Sequence, residues 1–296
     1  MVLILESATT MLNLSLQSDR EKLEELISDD VNAFCETYYE QGHRNHLGAS
    51  GLGEACWRKL WYSFRWVKEE RFDGRMMRLF NVGHSAEPRF VAYLKGIGFD
   101  VKEFDSDGKQ FRISGAMGHY GGSLDGMCKA PERYQLSEDI ILSLSFKTNN
   151  TGSGYEKVSK ESLSKSKPMH WAQECQYGYK TGIKYCIYMI ENKNDSDITF
   201  KVIELDWNYG AQLEKKANEI IFSKEPPPRI SENPALYDCK YCHLTDICHK
   251  GATPEKNCRS CRNAVPTENA TWTCSIYGVI PPEFIRTGCP DNWLPI

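Results

Sequence analysis

Hydrophobic positions in the first hundred residues recur at helical spacing. Leu23, Leu26, Ile27 and Phe34 predict a helix from Asp19 to about Tyr39. After a turn of small residues from Gly48 to Gly53, Trp57, Leu60, Trp61 and Phe64 predict a second helix, with one aromatic face buried and Arg58, Lys59 and Arg65 turned outward. Residues 76–96 predict a third, stopped by Gly96 and Gly98. The period then shortens: 99–105, 109–114 and 118–130 read as strands, and the apolar run 140–148 as a buried strand. Thr148 to Pro168 reads as a polar, mobile connection. A helix over 169–182, strands over 184–193 and 198–206, and an amphipathic helix from Trp207 to Lys224 follow, until Pro226, Pro227 and Pro228 end regular structure.

Composition narrows the class. A chain of 296 residues that is 41% hydrophobic and 26% charged is not a disordered polymer. Its mean hydropathy is −0.52, and no apolar run approaches the roughly 18 residues that span a bilayer. The opening MVLILESATTMLNLSLQ has no basic segment and is broken by Glu6, which argues against a secretory signal. The expectation is a soluble, cytoplasmic chain with no membrane partner. A net charge of −4 excludes a uniformly basic nucleic-acid coat but leaves room for a local basic groove.

Twelve cysteines in a reducing compartment point away from disulfides. Cys35, Cys128, Cys175 and Cys186 sit in apolar contexts and read as small buried hydrophobes. The other C-terminal seven sit in polar, turn-rich sequence, where CxxC pairs let two thiolates converge on one metal. Cys258, Cys261, Cys274 and Cys289 suffice for a closed tetrahedral Zn²⁺ site, and iron suits four thiolates as well. Cys239, Cys242 and Cys248 are one ligand short. Either His243 or His249 completes a zinc site, or a distant thiolate does, and Cys56 is the candidate.

Cys56 in a C-x-R-K-x-W-Y context, followed far downstream by C-x2-C-x5-C, resembles the RecB-like iron–sulfur nucleases, which include AddB-type helicase-nucleases and CRISPR-associated RecB-like exonucleases. The resemblance implies that Cys56, Cys239, Cys242 and Cys248 hold a structural [4Fe–4S] cluster. It implies an α/β fold of the PD-(D/E)XK restriction-endonuclease-like type, a mixed central sheet flanked by helices, with a Cys-rich metal-stapled C-terminal extension. The expected division is an N-terminal helical segment over 1–45, a nuclease-like core over 46–225, an iron–sulfur-type segment over 226–250 and a four-cysteine metal-binding appendage over 251–296.

The motifs of that family occur in order. Gly83 to Glu87 resembles GHxxE, Gly122 to Gly126 resembles GxxD, Phe146-Lys147 fits the (D/E)XK strand, and Gln173 with Tyr177 resembles QxxxY. The resemblance implies Mg²⁺ or Mn²⁺ held by Asp125 and His84, with Lys147 acting on the attacking water, and Glu87, Gln173 and Tyr177 assisting. Ser145 departs from the pattern, which places Asp or Glu there. Three accounts stand: another acid serves, with Glu87 or Asp139 nearest in sequence; the chain binds DNA without cutting it; or the residue has been substituted to trap substrate.

The leading expectation is therefore a metal-dependent deoxyribonuclease of phage type, an exonuclease or end-processing enzyme working on DNA with other recombination or replication proteins. The alternative is an inactive nuclease-fold module for DNA or protein binding. Lys157, Lys160, Lys165 and Lys167, or Arg71, Arg75 and Arg78, are candidates for phosphate contact, and Trp61, Trp66 or Tyr155 for base stacking.

Overall fold

The computed structural model describes residues 11–39 and 42–296, so part of the opening run read for a secretory signal, residues 1–10, lies outside the described residues. The chain divides into two units, Met1–Gln41 with Arg71–Val82 and Gly42–Glu70 with Gly83–Ile296. In the first unit, helix α1 (Gln17–Tyr38) packs on the opening turns of helix α3 (Gly74–Gly96). Asn32 accepts from Arg78 at 2.9 Å and Glu36 accepts the Gly74 amide at 3.0 Å. A Cβ on Gly74 would lie 2.4 Å from the Asn32 carbonyl oxygen, so only glycine permits this approach. The stripe that predicts α1 stays in solvent, with Leu26, Ile27 and Phe34 all exposed.

In the second unit, strand β1 (Leu47–Gly48) leads to helix α2 (Trp57–Phe64). Strands β2 (Asp100–Lys102), β3 (Arg112–Gly115), β4 (Tyr120–Ser123), β5 (Gly126–Lys129) and β6 (Leu142–Asn149) follow the end of α3. Next come helices α4 (Glu156–Lys160), α5 (Leu163–Ser166) and α6 (Pro168–Thr181), strands β7 (Tyr185–Asn192) and β8 (Ile198–Glu204), and helix α7 (Trp207–Phe222). The main sheet has the order β2-β5-β6-β7-β8, with β6 and β7 parallel and the remaining pairs antiparallel; β1-β4-β3 form a smaller sheet. The fold is thus mixed α/β, as the strand and helix periods predict.

Alternation along β6 divides its two faces. Leu142, Leu144 and Phe146 pack with Ala86, Phe90, Val91 and Leu94 of α3. Burying each large side chain there is worth roughly 1.5–3 kcal/mol. The opposite face carries Ser143, Ser145 and Lys147, toward α6. Helix α6 starts with Pro168 in its first turn, where the missing amide costs nothing, and ends at Gly182 with φ 74°. Helix α7 is capped by Asp206, whose side chain accepts the Tyr209 amide at 3.0 Å.

Three expectations are corrected. Thr148 to Pro168 is not an open connection: Tyr155, Val158 and Leu163 pack against Tyr188 and Ile190. Helix α2 buries Tyr62 with Leu60, Trp61 and Phe64, whereas Trp57 is exposed. Arg65, expected outside, is only 2% exposed because its guanidinium stacks on Trp61 and Trp272 and donates to the Ala264 carbonyl at 2.7 Å.

The C-terminal part contains helices α8 (Tyr237–Lys240) and α9 (Thr245–Lys250), strands β9 (Ala264–Pro266), β10 (Trp272–Cys274) and β11 (Gly278–Ile280), and helix α10 (Pro282–Ile285). The three strands form an antiparallel sheet in the order β11-β10-β9. Among the described residues, no helix is long and apolar enough to cross a membrane.

Candidate active site and cysteine clefts

Asp125 lies at the bend where the chain leaves β4 for β5, not within a strand as its motif implies. Its Oδ2 accepts the Phe146 amide at 2.7 Å and stands 3.6 Å from Lys147 Nζ. Lys147 lies on the polar face of β6, the central strand of the main sheet. Burial works against its charge, but Asp125, Glu174, Cys186 and Glu87 together hold its pKa above the ordinary lysine value.

Ser145 lies two residues earlier on the same face and is 1% exposed. Its hydroxyl donates to Oε1 of Glu174 at 2.8 Å. Glu174, on α6, is itself 1% exposed, and the Cys186 thiol donates to its other oxygen at 3.7 Å. Burial pushes the Glu174 carboxyl up to about 7; Lys147 opposes that rise and Asp125 adds to it. Glu87 on α3 is half-buried. Burial and Asp125 raise its pKa, while His84 and Lys147 pull it down. Three carboxylates thus surround one lysine.

The remaining motif residues fall around this group. His84 is exposed and acts on Glu87 by charge. Pro88 has no amide to offer the His84 carbonyl four residues back in α3. Gln173 Nε2 donates to the Tyr177 hydroxyl at 2.9 Å, and Tyr177 is buried against the Gly122 backbone, where an added Cβ would lie 2.8 Å from the hydroxyl. The first glycine of the GxxD motif is therefore a packing requirement. His170, at the start of α6, shares a hydrogen bond with the Tyr188 hydroxyl through Nδ1 at 2.7 Å; burial, then Lys147 and Lys167, pull its pKa to about 3, so the ring is neutral.

Asp139 is exposed in the turn before β6 and is not among the groups acting on Asp125's neighbours, because the strand carries Ser145 away from it. Glu174 is the acid that sequence reasoning missed. Its signal was a charged residue between Ala172 and Cys175, on what is now the buried face of a helix, directly after Gln173.

The candidate base-stacking residues are also corrected. Trp61, Trp66 and Tyr155 are 0%, 3% and 6% exposed, so none presents a free ring. The Tyr155 hydroxyl bonds Asp197 and Thr199, both at 2.8 Å. Arg78 is engaged by Asn32, and Lys160 stands 3.5 Å from Glu156. Lys157 and Lys165 remain exposed.

All twelve cysteines are free thiols. Cys56, at the N-terminal cap of α2, lines one cleft of about 70 Å³ with Cys239, Cys242, Cys248 and His249. His243 turns elsewhere, 3.3 Å from Glu70. In the second set, burial raises the Cys258 pKa, and the charges of Cys261, Cys274 and Cys289 raise it further. Backbone amides of Leu294, Ile276 and Asn292 donate to the sulfurs of Cys261, Cys274 and Cys289 at 3.3, 3.5 and 3.0 Å. Among the described residues, no three His, Cys, Asp or Glu side chains stand as a group that could already hold a metal ion. Both sets are gathered in space without being closed on a centre.

Arg259, between the two cysteines of the CxxC pair, is 1% exposed and lies over Phe64, Trp66 and Trp272, with centroid distances of 4.4, 4.2 and 4.7 Å. Burial lowers the Arg65 pKa to about 10, and Cys261 opposes that change.

No family model matches this chain, and no curated protein is similar to it in sequence. Among solved structures, an alkaline exonuclease from Laribacter hongkongensis, LHK-Exo, is 19% identical over 60% of this chain and 87% of its own, with a TM-score of 0.42. Its complex with dAMP is similar at 17% identity over 60% and 86% of the two chains, with a TM-score of 0.41. The structure of SSO0001 is 15% identical over 78% of this chain and 100% of its own, with a TM-score of 0.42.

Proposed function

We propose that this chain is a metal-dependent deoxyribonuclease acting at DNA ends, with Asp125, Lys147 and Glu174 at its centre. The observation that carries this reading is the position of Glu174, whose carboxylate meets Ser145 at 2.8 Å. The acid absent from the strand position is present in space, supplied by the facing helix. Of the three accounts of Ser145, this favours the first, with Glu174 in the role that sequence alone gives to Glu87 or Asp139.

The donor set fits a hard divalent ion. Asp125, Glu87 and Glu174 are three oxygen donors around a single lysine, and His84 adds a nitrogen beside Glu87. Bound there, Mg²⁺ or Mn²⁺ supplies charge neutralisation at the scissile phosphate and acidifies a water. Lys147, kept cationic by its acidic neighbours, stabilises negative charge developing on the phosphate. Asp125 holds Lys147 in place and is itself fixed by the Phe146 amide. Glu174, whose carboxyl burial pushes up to about 7 in the ion-free protein, supplies the third carboxylate from α6 and loses its proton when an ion binds. Gln173 and Tyr177 position each other and line the wall beside Asp125.

The first cysteine set is read as the [4Fe–4S] site, with Cys56 as the distant ligand, on the strength of the shared cleft. The second set is read as a Zn²⁺ site of the 251–296 appendage, supported by the amide bonds to three of its sulfurs. The phage-type setting and the recombination or replication partners are taken from the motif resemblance, and the cytoplasmic location from the composition of the chain.

The test is incubation of labelled single- and double-stranded DNA with Mn²⁺ or Mg²⁺. Cleavage by the native chain, lost in Glu174→Gln, supports the reading. An inactive native chain that gains cleavage as Ser145→Glu would instead identify a disabled enzyme.

A further inference from the structure

Ser145 and Cys186 lie on the parallel strands β6 and β7, where Tyr188 is the register partner of Ser145 and Ser143 that of Cys186. They therefore stand diagonally across one strand pair, with both side chains on the polar face. Ser145 is 1% and Cys186 0% exposed. Glu174 meets both from α6: the Ser145 hydroxyl donates to its Oε1 at 2.8 Å, and the Cys186 thiol to its Oε2 at 3.7 Å. Each carboxylate oxygen has its own donor, and the two donors come from different strands. Both donors are neutral. Glu174 forms no ion pair among the described residues, and Lys147 pairs instead with Asp125. Packing explains a small buried cysteine in this sheet, but not a sulfur set against a carboxylate oxygen.

We infer that Ser145 and Cys186 are positioning residues that clamp the Glu174 carboxylate, one oxygen each, and fix its plane for a hard divalent ion. This rests on the reading of Glu174 as the supplied acid and adds what orients it. The last torsion of a glutamate is broad, so its carboxylate turns unless both oxygens are held. A carboxylate offers about four lone-pair sites, and two donors leave acceptor capacity on each oxygen. Because the donors are neutral, they orient the group without cancelling the charge that attracts a cation. A second acid at position 145 would instead press like charge against Glu174 in a buried place. Ser145 is then the complement of an acid supplied by the helix, and Cys186 is its counterpart on the neighbouring strand.

The test uses the full-length chain with Mn²⁺ alone as the probe, its affinity read without DNA from the electron paramagnetic resonance of the free ion. Ser145→Ala should weaken Mn²⁺ binding on the order of tenfold. Cys186→Ala should weaken it less, because a thiol is the weaker donor. The double variant should resemble Ser145→Ala, since either loss frees the same torsion. Both single variants should lose DNA cleavage at limiting Mn²⁺ and recover it as Mn²⁺ is raised, with KM for DNA unchanged, a pattern that lost packing does not produce. Native affinity in both single variants, or losses that multiply in the double variant, would overturn the clamp. Glu174→Gln separates this from the proposed function. Weakened binding there, with native affinity in Ser145→Ala and Cys186→Ala, refutes the clamp alone; native affinity in Glu174→Gln refutes the supplied acid and the clamp with it. Should Ser145→Ala fail to fold, Cys186→Ala decides by the same measurement.

Discussion

This chain buries cations in two places and surrounds them in opposite ways. Lys147 is ringed by Asp125, Glu174 and Glu87, a surplus of negative charge. Arg65 and Arg259 are ringed by tryptophan and phenylalanine, with a surplus of positive charge. The first arrangement suits an added cation and the second an added anion. In each place, the sign of the imbalance states what chemistry the surroundings accept.

The comparison breaks most easily at Asp125. Asp125→Ala should lower DNA cleavage by roughly a thousandfold or more, because it removes both a hard-ion ligand and the partner of Lys147. Full cleavage by that variant would place the acidic centre elsewhere. Lys147→Met should follow closely in single-turnover cleavage, with DNA binding retained.

Stability without divalent ion gives a sharper contrast, because losing a catalytic acid should stabilise the protein. The folded pKa of Glu174 is raised to about 7 from 4.5. Below pH 4.5 both states carry the proton. As pH rises from 4.5 toward 7, the unfolded chain ionises first, so native stability falls and the penalty is complete above 7. Glu174→Gln should therefore stabilise the ion-free protein above pH 7 by on the order of 1–3 kcal/mol, and by nothing comparable at pH 4. Denaturant titrations at the two pH values check this. A variant less stable than native protein at pH 8 would refute the strained carboxyl.

His170, one helical turn earlier, has the opposite dependence. Its folded pKa is lowered to about 3 from 6.5, so the unfolded state binds more protons between those values and stability rises with pH there. Replacing it by Phe should flatten the acid limb of the stability curve. The smallest effect belongs to Tyr155→Phe, which removes hydrogen bonds to Asp197 and Thr199 and should cost about 1 kcal/mol in denaturant unfolding, with no change in cleavage.

Much of this was legible in the sequence. The apolar run 140–148 located the strand that carries Lys147, and the proline and glycine around 168 and 182 bounded α6. Motif order carries the expectation that His84, Glu87, Asp125, Gln173 and Tyr177 lie near one another. What was not legible depended on faces. Glu174 and Ser145 are 29 residues apart and meet only because β6 and α6 pack with those sides together. Arg65 looked like solvent-facing charge because helical periodicity registers polarity, while the rings that accept its charge, Trp61 and Trp272, are apolar at the level of sequence. The stripe on α1 had the right period but lies exposed, because periodicity predicts a helix without saying what covers it.

The central claim is that Glu174 supplies the missing acid of the strand. Cleavage of labelled DNA in Mn²⁺ by native protein and Glu174→Gln, both shown to be folded, tests it most directly. Cleavage in the native chain and a loss of roughly a hundredfold or more in the variant is the predicted result. Equal cleavage by the two proteins would contradict it.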